Sequence, residues 1–175
     1  MNLPSNISTD SVTEWLVQAV QDVLETTFEH AGIPVDLAEH AVSQEESVVA
    51  CIGIRGAFQL ETAIHFPARL AARLASRSLD MPEAEIDDKM VDDVAGEFSN
   101  MVVGAVKSRV SDFEVACSMT VPRVFRCEAG AADSERKIHG ALAVLRGSAG
   151  PRNGSSANRL GFRVGNHFLR IDLYL

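Results

Sequence analysis

The stretch Asp88–Val110, DKMVDDVAGEFSNMVVGAVKSRV, decides how the rest of the chain is read. Its periodicity predicts one long helix. Val91, Val94, Phe98, Met101, Val102, Ala105 and Val106 recur at three- and four-residue steps and form an apolar stripe. A second stripe is polar: Asp93, Glu97, Asn100, Gly104 and Lys107, spaced four, three, four and three. Side chains three or four apart share one helical face. Glu97 and Asn100 therefore point the same way, with a carboxylate below them and a glycine above. Glycine inside a helix costs about 1 kcal/mol relative to alanine, and Gly104 leaves a flat spot where another backbone can come close. Polar residues on the outer face of an amphipathic helix are ordinarily no more than solvated, so Glu-x-x-Asn alone is a weak motif.

Before this helix the chain predicts a first helix, capped by Ser8, Thr9 or Asp10, with Val12, Trp15, Leu16, Ala19, Val20, Val23, Leu24 and Phe28 as its buried stripe. Gly32 and Pro34 are expected to end it. Ser47–Ile54 and Ala57–Phe66 read as a hairpin with one buried face, and Gly53 and Gly56 suggest a bulge or tight turn. His65, with no partner pattern around it, reads as a surface or turn residue. Pro67 suits the start of a short helix with Leu70, Ala71, Leu74 and Ala75 inside and Arg69, Arg73 and Arg77 outside. An acidic connection, Met81–Asp88, leads into the long helix, where acids favour the positive dipole end.

After the long helix, Glu114–Val121 is strand-like, and Pro122 demotes the residues beyond it to an edge or a bend. Val124 and Phe125 resume a strand. Residues 128–135 read as a polar loop, Ile138–Leu145 as a strand, and 147–157 as a long, glycine-rich hairpin tip. Leu160–Val164 and Phe168–Leu175 flank Gly165-Asn166, a two-residue hairpin turn. Runs of strands and helices without βα alternation argue an α+β fold, an antiparallel sheet packed by helices, with the long helix turning its Glu/Asn stripe outward.

At 175 residues the chain is expected to be a single domain, 1–175, with a core of its own. Hydrophobic residues are 46% and charged residues 23%, as in an ordinary globular protein, and the formal net charge is −8. That charge argues against nucleic acid or an anionic membrane as the main partner. No apolar run approaches membrane-spanning length, and the N-terminus lacks the pattern of a signal peptide. Cys51, Cys117 and Cys127 are odd in number and lack metal spacing. A cytoplasmic protein with incidental thiols is expected. No calcium loop, phosphate loop, Cys-His pair or Ser-His-Asp arrangement is present. A carboxylate and a carboxamide on a helix make at most half of an active site. The missing half would have to arrive on another molecule.

Asp93-x-x-x-Glu97-x-x-Asn100, followed by Pro122, resembles the signature of the chemotaxis phosphatases of the CheC/CheX/FliY group, in its single-site CheX form. The gap from Asn100 to Pro122 is one residue shorter than that family's spacing. A faint echo of the motif in the first helix, Asp22-Val23 followed by Thr26 and Glu29, lacks the Glu/Asn pair, which implies one site. The resemblance covers roughly Val12–Leu175 and implies a CheC/CheX-like fold. It also implies a substrate, the phosphorylated aspartate of a CheY-like response regulator receiver domain. That receiver would bring the acyl phosphate, a bound Mg²⁺ and a lysine; no cofactor or metal is expected on this chain. Glu97 would pair with the receiver's lysine, and Asn100 would hold the attacking water in line with phosphorus. Asp93, Gly104 and Lys107 would contact the partner. A homodimer through sheet edges is expected on the same ground. Two other accounts stand beside this one: a non-catalytic receiver-binding adaptor, and an assembly protein whose helix stripe binds a different target.

Overall fold

The computed structural model describes residues 7–37, 45–128, 132–147 and 158–175. Ser8 caps helix α1 (Thr9–Phe28), its hydroxyl accepting from the Ser11 N–H at 3.0 Å. The helix ends not at Gly32 but at Glu29, which takes a left-handed conformation. Gly32 instead begins a four-residue strand, β1 (Gly32–Val35), where the sequence pattern predicts only a helix stop. Then come β2 (Ser47–Gly56), β3 (Leu60–Pro67) and α2 (Ala68–Leu79). One 3₁₀ turn (Glu83–Glu85) precedes α3 (Asp88–Ser111). The chain continues through β4 (Cys117–Met119), β5 (Arg123–Cys127), α4 (Ala132–Arg146), β6 (Asn158–Val164) and β7 (His167–Tyr174).

All seven strands join one antiparallel sheet in the order β1-β6-β7-β3-β2-β4, with β5 also paired to β2. The β6–β7 hairpin turns at Gly165-Asn166 as expected, with Val164 opposite His167 and Gly165 at positive φ. One sheet face carries Val48, Ala50, Ile52, Leu60, Ile64, Leu169 and Ile171 into the main core, where α1, α2 and α3 pack. The opposite face is covered in part by α4.

This fourth helix replaces the strand expected over Ile138–Leu145. Ile138, Ala141 and Leu142 pack against Val49, Cys51, Ala63 and Cys127. The β2–β3 hairpin is therefore buried on both faces rather than one. Most of the glycine-rich segment 147–157 lies outside the described residues; the element before it is α4, not a strand.

Helix α3 is anchored both at its start and along its inner face. Asp87 caps it by accepting from the Met90 N–H at 2.8 Å. Phe98 is fully buried, with ring centroids 5.8 Å from Phe28 and 5.2 Å from Phe66, the latter edge to face. Val94, Val102 and Val106 are buried beside it. Turning the helix would drag these side chains into water, at roughly 1.5–3 kcal/mol for each large one. Its rotation, and so the direction of every polar residue on it, is fixed by the core.

Candidate functional site

Fixing Phe98 inward settles where its neighbours go. Glu97 and Asp93 are exposed, and Asn100, Gly104 and Lys107 are half-buried. The five residues of the polar stripe thus share one open face. Among the described residues no side chain hydrogen-bonds or pairs with Asp93, Glu97 or Asn100. Two expectations for the apolar stripe need correction: Ala105 is exposed and Met101 only half-buried, where Thr27 of α1 reaches the Met101 sulfur at 3.8 Å.

The far flank of the stripe is built by β4 and β5, which run alongside α3 and belong to one interrupted edge strand. Ile54 faces Met119 and Cys51 faces Arg123. Ile52 and Gly53 therefore stand opposite three residues, Thr120, Val121 and Pro122, a one-residue bulge. Thr120 holds the bulge to β2: its N–H donates to the Gly53 carbonyl at 2.9 Å, and its hydroxyl accepts from the Gly53 N–H at 2.9 Å. Two glycines of α3 face this segment, at distances an alanine would also fill without strain. A Cβ on Gly104 would sit 3.7 Å from the Met119 sulfur, and one on Gly96 would sit 3.9 Å from the Pro122 Cβ. Part of the room at Gly104 is thus taken by this chain's own Met119. Arg126 locks the arrangement from β5, donating to the Asp88 carbonyl at 3.2 Å and bridging the Asp88 and Asp92 carboxylates at 3.0 and 3.3 Å.

A second polar constellation has no counterpart among the expected site residues. On the α4 side of the sheet, Glu61, Asp172 and His65 are buried or nearly so. His65, expected at the surface, has its Nε2 3.0 Å from Asp172 Oδ2, with Arg170 Nη2 3.1 Å from its Nδ1. Arg170 Nη2 is also 3.0 Å from Nε2, so it stands beside both ring nitrogens, and a ring protonated on Nε2 donates to the Asp172 carboxylate. Burial and the nearby Arg170 and Arg159 hold the His65 pKa below its ordinary 6.5, against the pull of Asp172. Burial alone would raise the Asp172 pKa, but the His65 hydrogen bond and the two arginines outweigh it and the carboxyl stays below its usual range. Arg55 and Arg146 reach Glu61 Oε1 at 3.4 and 3.3 Å. The strand register brings the group together, setting Glu61 opposite Tyr174 and His65 opposite Arg170, and the sequence carries no local signal of it. The constellation is paired chiefly within the chain, though Arg55 Nε and Nη2, Arg170 Nε and Asp172 Oδ1 are buried there without a hydrogen-bond partner among the described residues.

Burial pushes the Cys51 thiol up to about 12, which excludes a reactive thiolate there. Among the described residues no three His, Cys, Asp or Glu side chains gather to hold a metal ion. None of the described helices is long and apolar enough to cross a membrane.

The class defined here is an α+β protein whose single antiparallel sheet backs one long helix with an open Glu/Asn face. Crystal structures share this fold. Chemotaxis protein CheX from Vibrio vulnificus superposes with a TM-score of 0.70 at 18% identity, covering 99% of this chain and 99% of that one. CheX from Desulfovibrio desulfuricans gives 0.66 at 17%, covering 93% and 97%. The CheX–CheY–BeF3–Mg²⁺ complex from Borrelia burgdorferi gives 0.61 at 16%, covering 93% and 96%. No curated protein matches the sequence. The family model described as chemotaxis phosphatase CheX matches residues 48–142, more than half of the chain, and the chain belongs to that family.

Proposed function

We propose that this protein is an aspartyl-phosphate phosphatase that acts on a CheY-like receiver domain. The observation that carries the reading is the pair on α3. Glu97 and Asn100 face outward side by side, and among the described residues nothing on the chain pairs with them. A polar pair left open on a helix whose rotation the core has fixed is a pair waiting for a second molecule.

In this reading Glu97 meets the receiver's lysine as the surfaces close. A charge-assisted hydrogen bond there orients the two domains. Asn100 enters the receiver's site. Its carboxamide oxygen accepts from a water and its NH₂ donates to a phosphoryl oxygen, so one side chain sets the line of attack. The water oxygen bonds to phosphorus as the bond to the aspartate oxygen breaks, and the water's proton leaves with inorganic phosphate. Phosphoryl transfer gains from such positioning without a protein nucleophile. In this reading Mg²⁺ comes with the receiver; the Borrelia structure holds CheX, CheY, BeF3 and Mg²⁺ in one complex. Asp93 and Lys107 flank the contact, and Gly104, already lined by Met119, keeps it low.

We read residues 1–175 as one domain in the cytoplasm, paired into a homodimer through a sheet edge. Decay of a phosphorylated receiver, followed with and without the protein, tests the function. Acceleration that is lost in Asn100→Ala supports it. Binding without acceleration would make the protein an adaptor, and phosphorylation-independent capture of a non-receiver protein would make it an assembly factor.

A further inference from the structure

The bulge in the edge strand does more than interrupt pairing. Asn100 lies midway along α3 between Gly96 and Gly104, each of which faces the interrupted strand. Met119 sits at the Gly104 level and Pro122 at the Gly96 level, so Thr120 and Val121 pass the level of Asn100. Val121 stands at the centre of the bulge, and at 81% exposure it is the most exposed large apolar residue among those described. It is not on a loose loop. Thr120 before it is tied to Gly53 by two hydrogen bonds. Pro122 after it rests against Gly96 and restricts the backbone of Val121 itself to extended conformations. Bulges next to reactive residues commonly re-aim a side chain, and here the side chain aimed outward is apolar.

We infer that Val121 is a docking residue for the phosphorylated receiver, packing against an apolar side chain on the rim of the receiver's phosphorylation site as Asn100 enters it. The inference rests on the proposed phosphatase reading and adds a specificity determinant to it. Glu97 supplies the charged contact on one side of Asn100, and Val121 the apolar contact on the other. Charge gives orientation and encounter rate, whereas a desolvated apolar anchor slows release. Val121 touches no reacting atom in this arrangement, so its replacement changes how much receiver is needed and leaves the bound reaction alone.

The test uses the full-length chain and a receiver that the wild type dephosphorylates, charged with acetyl phosphate for rates and with beryllofluoride for binding. Val121→Asp and Val121→Lys should each raise the half-saturating receiver concentration roughly 10-fold, the scale of one buried Val side chain. The saturated rate should stay at the wild-type value, and Val121→Leu should bind like wild type. Thermal melts of all three should match the wild type, because the side chain is exposed. Wild-type half-saturation in both charged variants overturns the inference. Impairment by Asp with none by Lys also overturns it, since that pattern is electrostatic. A wild type that neither binds nor turns over any receiver brings down the phosphatase reading itself, a different result from an active wild type indifferent to position 121.

Discussion

Two groups of polar residues, one on each side of the sheet, show opposite ways of treating charge. Beside α4, Asp172 is nearly enclosed and is met by His65, Arg170 and Arg159 at 3.0, 3.2 and 3.6 Å. On α3, Glu97 stands in solvent with no described partner. A buried charge must find its partners within the chain, because the cost of leaving it alone is several kcal/mol. An exposed one carries no such penalty and stays free to meet another molecule. The enclosed group is therefore architecture, and the open pair is the candidate for chemistry.

Substitutions on the two sides should separate cleanly. The largest effect is expected at Asp172: Asp172→Ala strands the arginines around it and should lower unfolding free energy by about 3–5 kcal/mol in denaturant titration. Stability within about 0.5 kcal/mol of wild type would mean that the cluster is not structural. Next comes Asn100→Ala, which should slow receiver dephosphorylation at saturation by about 10²-fold or more while the denaturation midpoint stays put. A wild-type rate in that variant removes the water-positioning role. Glu97→Ala should act mainly on docking, raising the half-saturating receiver concentration roughly 10-fold, the scale of one hydrogen bond to a charged group. A loss confined to the saturated rate would instead move Glu97 into the reaction.

The smallest effect is in pH. His65 has its folded pKa below the ordinary 6.5, so the unfolded chain takes up the proton first. The stability this group provides is full above pH 6.5 and is lost as pH falls below that value. Asp172, also depressed, adds a loss of the same sign only below its ordinary 3.8. Unfolding free energy measured from pH 7.5 to 5 should fall toward acid, and His65→Gln, which keeps a donor for Asp172, should flatten that slope.

How much of this is legible in the residues alone differs between the two sides for a physical reason. The outward stripe of α3 is legible because its partners in space are its neighbours in sequence, three and four residues away. The same local logic finds the β6–β7 turn and Pro122 as an interruption. The enclosed cluster joins His65 to Asp172 across the β3–β7 pairing, and no local pattern carries that register. Helix α4 reads as a strand because IHGALAVL holds Gly140 and β-branched residues in a short apolar run, which strand and helix templates both accept. The spacing of Ile138, Ala141, Leu142 and Leu145 is helical all the same. Strand β1, four residues with Pro34 among them, gives almost no signal and survives because it is an edge. Val121 becomes visible only once the pairing of both β4 and β5 with β2 is known.

That divided pairing has a consequence for how this surface can change over time. Each half of the edge strand is aligned on β2 independently, so a residue can be gained or lost between Met119 and Arg123 without shifting either alignment. Length variation here would reshape the rim beside Asn100 while the scaffold carrying Asn100 stayed still. A lineage could thereby retune which target it recognises without rebuilding α3.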